Sequence, residues 1–259
     1  GQHQIKRLFF DIETSAMIVY SWRIGWNITL SPDNIIQDWK IICISYKWEG
    51  ENKVHTLDWG KEMCDKKLLE DFIKVANTAD ELVAHNGDRF DIKKIRTRCI
   101  DHRIPMFTNY KTLDTLKKAK SGFNFNSNKL DYIARYLGIE GKLVTPSGMW
   151  RKVMENDYSM LLEMDKYCQQ DVVCLEEVYL KLRPYIQPHP NVGLHIVDNV
   201  HSCPSCGSHD LDWDSGKVYT TNANQYHAFR CNSCGSLGRS RTPVLKAKDK
   251  SNLTVPNAR

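Results

Sequence analysis

From Leu8 to Ser15 the segment LFFDIETS alternates so that an extended chain carries Phe9, Asp11 and Glu13 on one face and Leu8, Phe10 and Ile12 on the other. Two later runs, KIICISYKW and KVHTLDW, are rich in β-branched and aromatic residues, which predicts three early strands arranged as a meander. The period then becomes helical: Met63, Leu68, Leu69, Phe72, Ile73 and Val75 recur at helix spacing in KEMCDKKLLEDFIKVANTA. ELVAHN reads as a short buried strand, and RFDIKKIRTRCIDH as a helix that would hold Asp91 in its first turn if it began near Asp88. MFTNYKTLDT reads as a strand turning into a helix, and NKLDYIARYLGI as a helix stopped at Gly138. A polar loop, EGKLVTPSG, precedes one long helical region predicted from about Met149 to Tyr185. The order β-β-β-α-β-α-β-α-α fits an α/β fold, a mixed sheet with helices on its faces.

Pro184, Pro188 and Pro190 of RPYIQPHPNVG stop the last helix and mark a boundary. These signals divide the chain into a main domain over residues 1–187, a linker over 188–198, a small cysteine-bearing module over 199–241 and a basic flexible tail over 242–259. The tail is rich in Lys, Ser and Pro and poor in large apolar residues. At 259 residues the chain is long enough for one full domain and an appendage. Its net charge of +5 permits a polyanionic partner without requiring one. No apolar run approaches the roughly 20 residues that span a bilayer, and GQHQIKR lacks an apolar stretch, so a soluble, untargeted protein with no membrane partner is expected. Of nine cysteines, Cys43, Cys64, Cys99, Cys168 and Cys174 stand singly and read as reduced core thiols, which favours an intracellular, cytoplasmic compartment.

The acids change this picture. Asp11 and Glu13 project together from a run that looks buried, Asp91 follows the strand ELVAHN, and Asp171 lies on the apolar stripe of DKYCQQDVVCLEEVYLKL one turn from Tyr167. Buried acids are costly unless neutralised. Convergence of Asp11, Glu13, Asp91 and Asp171 on two divalent cations, Mg²⁺ or Mn²⁺, satisfies all four, and two such ions can stabilise both the attacking and the leaving oxygens of phosphodiester cleavage. The plainer alternatives are surface acids at a strand end for Asp11 and Glu13, a favourable charge at a helix start for Asp91, and a buried hydrogen-bonded pair for Tyr167 and Asp171. Asp114 reads as a helix N-cap and His85 as a structural histidine.

The segments DIET (Asp11 to Thr14), NGDRFD (Asn86 to Asp91) and YCQQD (Tyr167 to Asp171) resemble, in order, the three motifs of the DEDD superfamily of 3′-to-5′ exonucleases, in the subgroup with tyrosine in the third motif. N-x-x-x-F-D, KTLDTLKK and NKLDYIARYLGIEGK resemble in particular the proofreading domains of family-B DNA polymerases and their stand-alone, often phage-borne relatives, which places the expected compartment in a bacterial or phage-infected cell. The resemblance covers roughly Ile5 to Leu182 and implies a ribonuclease H-like fold. It implies that Asp11 bridges two metal ions, that Glu13 and Asp171 join it at the ion that activates water, that Asp91 serves the other ion, and that Tyr167 orients the water. Thr14, Asn86 and Phe90 match positions that contact substrate in such enzymes. The aromatic connection Ala16 to Lys40 departs from the pattern. Tyr20, Trp22 or Trp26 could stack on bases there, and packing against the domain is the expected role.

Cys203-Pro-Ser-Cys206 and Cys231-Asn-Ser-Cys234, each followed by glycine and with 24 residues between the pairs, form a strong tetrahedral Zn²⁺ pattern resembling a zinc ribbon. Four sulfurs close the coordination sphere, so one structural Zn²⁺ is expected, while His201, His209 and His227 are not required. Lys217, Arg230, Arg239, Arg241, Lys246, Lys248 and Lys250 would suit phosphates. The function expected is metal-dependent 3′-to-5′ exonuclease action on single-stranded or frayed DNA 3′ ends, with a DNA polymerase or other replication protein as a candidate partner. An RNA 3′ exonuclease and a catalytically silent nucleic-acid-binding or polymerase-tethering protein are the alternatives.

Overall fold

The computed structural model describes residues 4–107, 111–140, 143–196, 198–213 and 217–257. Parts of MFTNYKTLDT and EGKLVTPSG, and single stretches of the linker, cysteine module and tail, lie outside the described residues. Contacts divide the chain into a larger unit, Lys6–Tyr179, and a smaller one formed by Leu180–Arg259 with Gly1–Ile5.

In the larger unit the strands are β1 (Arg7–Thr14), β2 (Ile18–Val19), β3 (Ile35–Gln37), β4 (Ile41–Trp48), β5 (His55–Asp58), β6 (Glu81–Ala84) and β7 (Lys111–Asp114). Its helices are α1 (Lys66–Ala76), α2 (Ile92–His102), α3 (Thr115–Gly122), α4 (Leu130–Tyr136) and α5 (Met149–Met154), and α6 (Tyr158–Leu182) runs on into the smaller unit. The main sheet has the order β5-β4-β1-β6-β7, with β5, β4 and β1 antiparallel and β1, β6 and β7 parallel. This is the expected meander extended by parallel strands, a mixed α/β sheet with helices against it.

Both faces of β1 are buried from Leu8 to Phe10. Leu8, Phe10 and Ile12 join a core with Leu69, Phe72 and Ile95 of α1 and α2, and the Phe10 and Phe72 ring centres are 5.3 Å apart. On the other face Phe9 meets Tyr179 of α6 at 5.4 Å. Lys47 of β4 and Glu176 of α6, both largely buried, pair at 2.6 Å, and Gln169 Nε2 donates to Thr56 Oγ1 at 2.7 Å. The sheet is therefore sandwiched, and the register of β1 decides which layer receives each side chain.

Two buried charges fasten the edges of this arrangement. Arg7, buried at the start of β1, pairs with Glu49 at 2.6 Å and Glu81 at 3.1 Å. Asp65, fully buried before α1, accepts from Ile41 N at 3.0 Å and from Arg98 Nε at 2.7 Å, and lies 2.6 Å from His102 Nε2.

Several boundaries differ from expectation. Helix α1 begins at Lys66, so Met63, with φ of +53°, precedes it. The last helical region is interrupted: Asn156 adopts φ of +63°, and Asp157 restarts the helix by accepting from Met160 N at 3.1 Å. Cys64 is exposed and Cys174 half-buried, so the core-thiol reading holds only for Cys43, Cys99 and Cys168. The connection after β1 forms a hairpin arm on β2 and β3. Tyr20, Trp22 and Trp26 do not pack against the domain, being 62%, 85% and 98% exposed, whereas Trp39 is half-buried against the core.

In the smaller unit, β8 (Leu211–Asp212), β9 (Val218–Thr220) and β11 (Leu237–Arg239) all pair with β10 (Gln225–Cys231). Ser236 Oγ donates to Arg183 O at 3.4 Å within this unit. The segment expected as a flexible tail makes specific bonds, from Val244 N to Gln225 O at 2.7 Å and from Lys250 to Asn224.

Candidate active site and cysteine cluster

The four acids come from three parts of the larger unit. β1 carries Asp11 and Glu13 on the face that meets α6, where Cys168 Sγ lies 3.6 Å from Asp11 O and 3.8 Å from its Oδ2. Ligand atoms of Asp11, Glu13 and Cys168 all fall within 4.8 Å of one another. Tyr167 and Asp171 sit one turn apart on α6. Asp91 ends a short π-helical turn, Gly87–Asp91, directly before α2, which therefore starts at Ile92 and not near Asp88.

That turn has a local cause. A Cβ on Gly87 would lie 2.5 Å from Ala84 Cβ, so only glycine lets the chain pass so close to the end of β6. Asn86, at φ of +62°, turns the backbone there. Asp114 holds the turn by accepting from Asn86 N at 2.8 Å and caps α3 by accepting from Leu116 N at 2.9 Å, so its expected cap role is observed.

Burial is the main influence on three of the acids and pushes each above the usual carboxylate range. Asp11 is raised strongly, with Asp91, Glu13 and Asp171 adding to the effect. Glu13 is pushed up to about 8, with Asp171 and Asp91 as the neighbours responsible. Asp91 is pushed up to about 7, with Asp114 as the neighbouring charge. Asp91 Oδ2 is buried with no hydrogen-bond partner among the described residues. Repelling carboxylates and an orphaned buried oxygen fit a cation, and an oxygen donor set suits Mg²⁺ or Mn²⁺. Burial also raises the Cys168 thiol, which stays neutral beside Asp11.

Asp11, Tyr167 and Asp171 line a cleft of about 700 Å³ together with His85, Lys129 and Arg135. The Tyr167 ring meets Trp150 of α5 edge-on, with centres 6.0 Å apart. Burial, followed by the charge of Asp171, raises its phenol and keeps the hydroxyl protonated. His85 has both ring nitrogens engaged, Nδ1 with Thr115 Oγ1 and Nε2 with Asn128 O, each at 2.8 Å, and burial lowers its pKa. A neutral imidazole so engaged has no nitrogen left to serve as a base, as the structural reading expects. Glu13, Asp91, Thr14, Asn86 and Phe90 are not among the residues lining the cleft. Thr14 ends β1 at a bulge, and Phe90 is 39% exposed. Sequence reasoning missed Trp150, Lys129, Arg135 and Cys168. Of these, only Cys168, on the stripe beside Tyr167, carried a signal in helical spacing.

In the smaller unit, ligand atoms of Cys203, Cys206, Cys231 and Cys234 lie within 4.8 Å of one another. The Cys203–Cys234 and Cys206–Cys231 sulfurs are each 3.6 Å apart. Both turns have the same design. Cys203 N donates to Ser208 O and Gly207 N to Cys203 O, while Cys231 N donates to Ser236 O and Gly235 N to Cys231 O. Gly207 and Gly235 both adopt φ of +80°. Two matching turns presenting four thiols are compatible with a zinc ribbon. His209 is engaged elsewhere, its Nε2 lying 3.2 Å from Asp198.

Among the described residues, no helix is long and apolar enough to cross a membrane. No curated protein matches the chain. Among solved structures, it is similar to the family B DNA polymerase from the hyperthermophilic archaeon Pyrobaculum calidifontis, with a TM-score of 0.53 and 17% identity. That match covers 70% of this chain and 25% of the polymerase, so it is a likeness of fold over a quarter of that protein's length. A family model described as the RNase H superfamily matches residues 36–183, which include Asp91, Tyr167 and Asp171 and leave β1 outside. That match spans more than half of the sequence, and the chain belongs to the RNase H superfamily.

Proposed function

We propose that the chain is a metal-dependent 3′-to-5′ exonuclease acting on single-stranded or frayed DNA, with its catalytic domain in residues 1–187, a linker over 188–198, a zinc ribbon over 199–241 and a basic tail over 242–259. Superfamily membership and the likeness of fold support nuclease action in general. The observation that carries the finer reading is that Asp11, Tyr167 and Asp171 line one cleft, with ligand atoms of Asp11 and Glu13 within 4.8 Å of each other and the charges of Asp91 and Asp171 close enough to act on both.

Asp11, Glu13, Asp91 and Asp171 would hold two Mg²⁺ or Mn²⁺ ions, which when bound supply Lewis-acid activation of water and stabilise charge on the leaving oxygen. Strand β1, helix α6 and the turn before α2 hold the acids so that little reorganisation is needed. The Tyr167 hydroxyl, kept protonated and steadied by Trp150, orients the attacking water. Lys129 and Arg135 complement the strand's phosphates. Water oxygen becomes bonded to phosphorus, the 3′ oxygen of the preceding nucleotide leaves, and a 5′-mononucleotide is released. Cys203, Cys206, Cys231 and Cys234 would hold one structural Zn²⁺. Nucleic acid is the partner this chemistry requires, and a DNA polymerase or other replication protein is a further candidate.

The test uses 5′-labelled and 3′-labelled single strands of DNA and RNA, with Mg²⁺, Mn²⁺ or EDTA. The 3′ label is expected to leave first as a mononucleotide, the 5′ label to give a descending ladder, and EDTA to stop both. Cleavage of a circular single strand, or release of the 5′ label first, would contradict the assignment.

Tyr167→Phe is expected to bind Mn²⁺ as the parent does in calorimetry and to cleave about 10² to 10⁴-fold more slowly, since the hydroxyl positions water and does not ligate metal. Unchanged turnover would make Tyr167 a packing residue.

A further inference from the structure

Two surfaces of the larger unit are left over once the cleft is described. One is the arm between β2 and β3. Tyr20, Trp22, Ile24 and Trp26 stand at every second residue and are 62%, 85%, 102% and 98% exposed. The Tyr20 and Trp22 ring centres are 6.4 Å apart. From Met17 to Gln37 the arm's single acid is Asp33, and Arg23 stands between the two tryptophans.

The other surface is the outer face of α2. Lys93, Arg96 and Ile100 form one stripe of the helix at steps of three and four, Arg89 in the turn before it and Arg103 at its left-handed cap flank them, and all are exposed. None of the four cations has an ionic partner among the described residues. Of the nearby acids, Asp101 pairs with Arg98 at 3.4 Å and Asp88 with Lys117 at 2.7 Å, while Asp38, next to Trp39, acts on Arg98.

A cation–ring cluster joins the two surfaces. β3 ends two residues before Trp39, whose ring centre lies 3.8 Å from Lys94 Nζ, and the same ammonium is 5.4 Å from the centre of Phe90. Phe90 adjoins Asp91. A row of uncompensated cations on α2, about 16 Å long, and at its two ends, beside the base of an arm with exposed rings at every second residue, has the chemistry of a site for a polyanion that carries flat apolar groups. An unpaired nucleic-acid strand is such a polymer, and an acidic protein surface offers the charge without the rings.

We infer that the arm and the outer stripe of α2 form one path for an unpaired nucleic-acid strand, its bases stacking on Trp22 and Trp26 and its phosphates lying along Lys93, Arg96 and Arg103, with Phe90 at the end beside Asp91. The inference deepens the nuclease reading and rests on it for where the path leads; binding along the path is measured separately.

The experiment uses the full chain carrying Asp171→Asn. Binding is titrated at several salt concentrations with labelled 20-mers of dT, of U, and of abasic deoxyribose, the last having the phosphates without the bases. Trp22→Ala/Trp26→Ala is expected to weaken dT and U binding about tenfold or more and to leave abasic binding unchanged, because a base–ring stack is lost. Quenching of tryptophan fluorescence by dT should diminish with it. Arg96→Ser/Arg103→Ser is expected to weaken all three probes and to lower the log–log salt slope by about 1.4, roughly 0.7 for each phosphate contact.

Parent-like affinities, or an arm variant that loses abasic binding equally, would overturn the path. Self-association abolished by the arm variant, with strand binding intact, would overturn it in favour of a surface for a second copy. Hydrolysis of thymidine 5′-(p-nitrophenyl phosphate) by the chain with its acids intact separates the two readings, since this small ester needs only the cleft. Hydrolysis with unaltered strand binding in the variants rejects the path alone. No hydrolysis of ester or strand, with binding lost as described, rejects the nuclease alone.

Discussion

Asp11→Ala and Asp171→Ala are each expected to reduce strand hydrolysis by about 10⁴-fold or more while leaving the fold intact. The catalytic half of this result follows from shared duty: when several groups act as one unit, loss of any one forfeits most of the rate. The stability half follows from the environment. Asp11 is raised chiefly by burial and then by three neighbouring acids, so its removal takes away a desolvated charge and a source of repulsion. In EDTA, the melting temperature of either variant should equal or exceed that of the parent. Mn²⁺ should then raise the parent's melting temperature by binding the folded state and raise that of the variants less. Calorimetric melts with and without Mn²⁺, alongside turnover of a 3′-labelled strand, measure both halves. Near-normal turnover by both variants would remove the assignment of these acids to a metal-dependent centre.

What the sequence made legible was local. Alternation in LFFDIETS placed Asp11 and Glu13 together because strand period is a property of the backbone, and spacing of four placed Tyr167 over Asp171 because helix period is too. The burial of Phe9 was not legible as a contact, since it depends on Tyr179, which is distant in sequence. Trp150 against Tyr167, and Lys129 and Arg135 in the same cleft as Asp11, are likewise products of tertiary packing. Helix ends were missed where one residue departs from the local rule. The left-handed Asn156 breaks an otherwise continuous apolar pattern, and the Gly87 approach to Ala84 shifts the start of α2 to Ile92. The arm shows a different limit. Composition favoured burial of its aromatic residues, yet a two-stranded ribbon with so little partner surface leaves Trp22 and Trp26 in solvent.

Replacing Cys206 with serine, or withdrawing zinc with a strong chelator, is expected to unfold the module that runs from Cys203 to Arg239. Its apolar core is too small to hold it. The buried side chains of its strands are Phe229 and Cys231, and Phe229 is supported by Trp213 with ring centres 4.9 Å apart. Strands β8, β9 and β11 are two or three residues long, and among the described residues each pairs only with β10. So few contacts do not offset the entropy of ordering the chain. Structural zinc in comparably small modules contributes about 10 to 16 kcal/mol of apparent binding free energy near neutral pH, which here would be folding free energy. The two matching turns, each with a glycine at φ of +80°, aim their thiols inward and gain little else from doing so. Hydrogen exchange at the amides of β10 reads the outcome. Protection should collapse in Cys206→Ser and in chelated protein, while the amides of β1 and β6 in the larger unit stay protected. Elemental analysis should find one zinc per parent chain. Full protection of β10 without zinc would show that the cysteine cluster is not what folds the module.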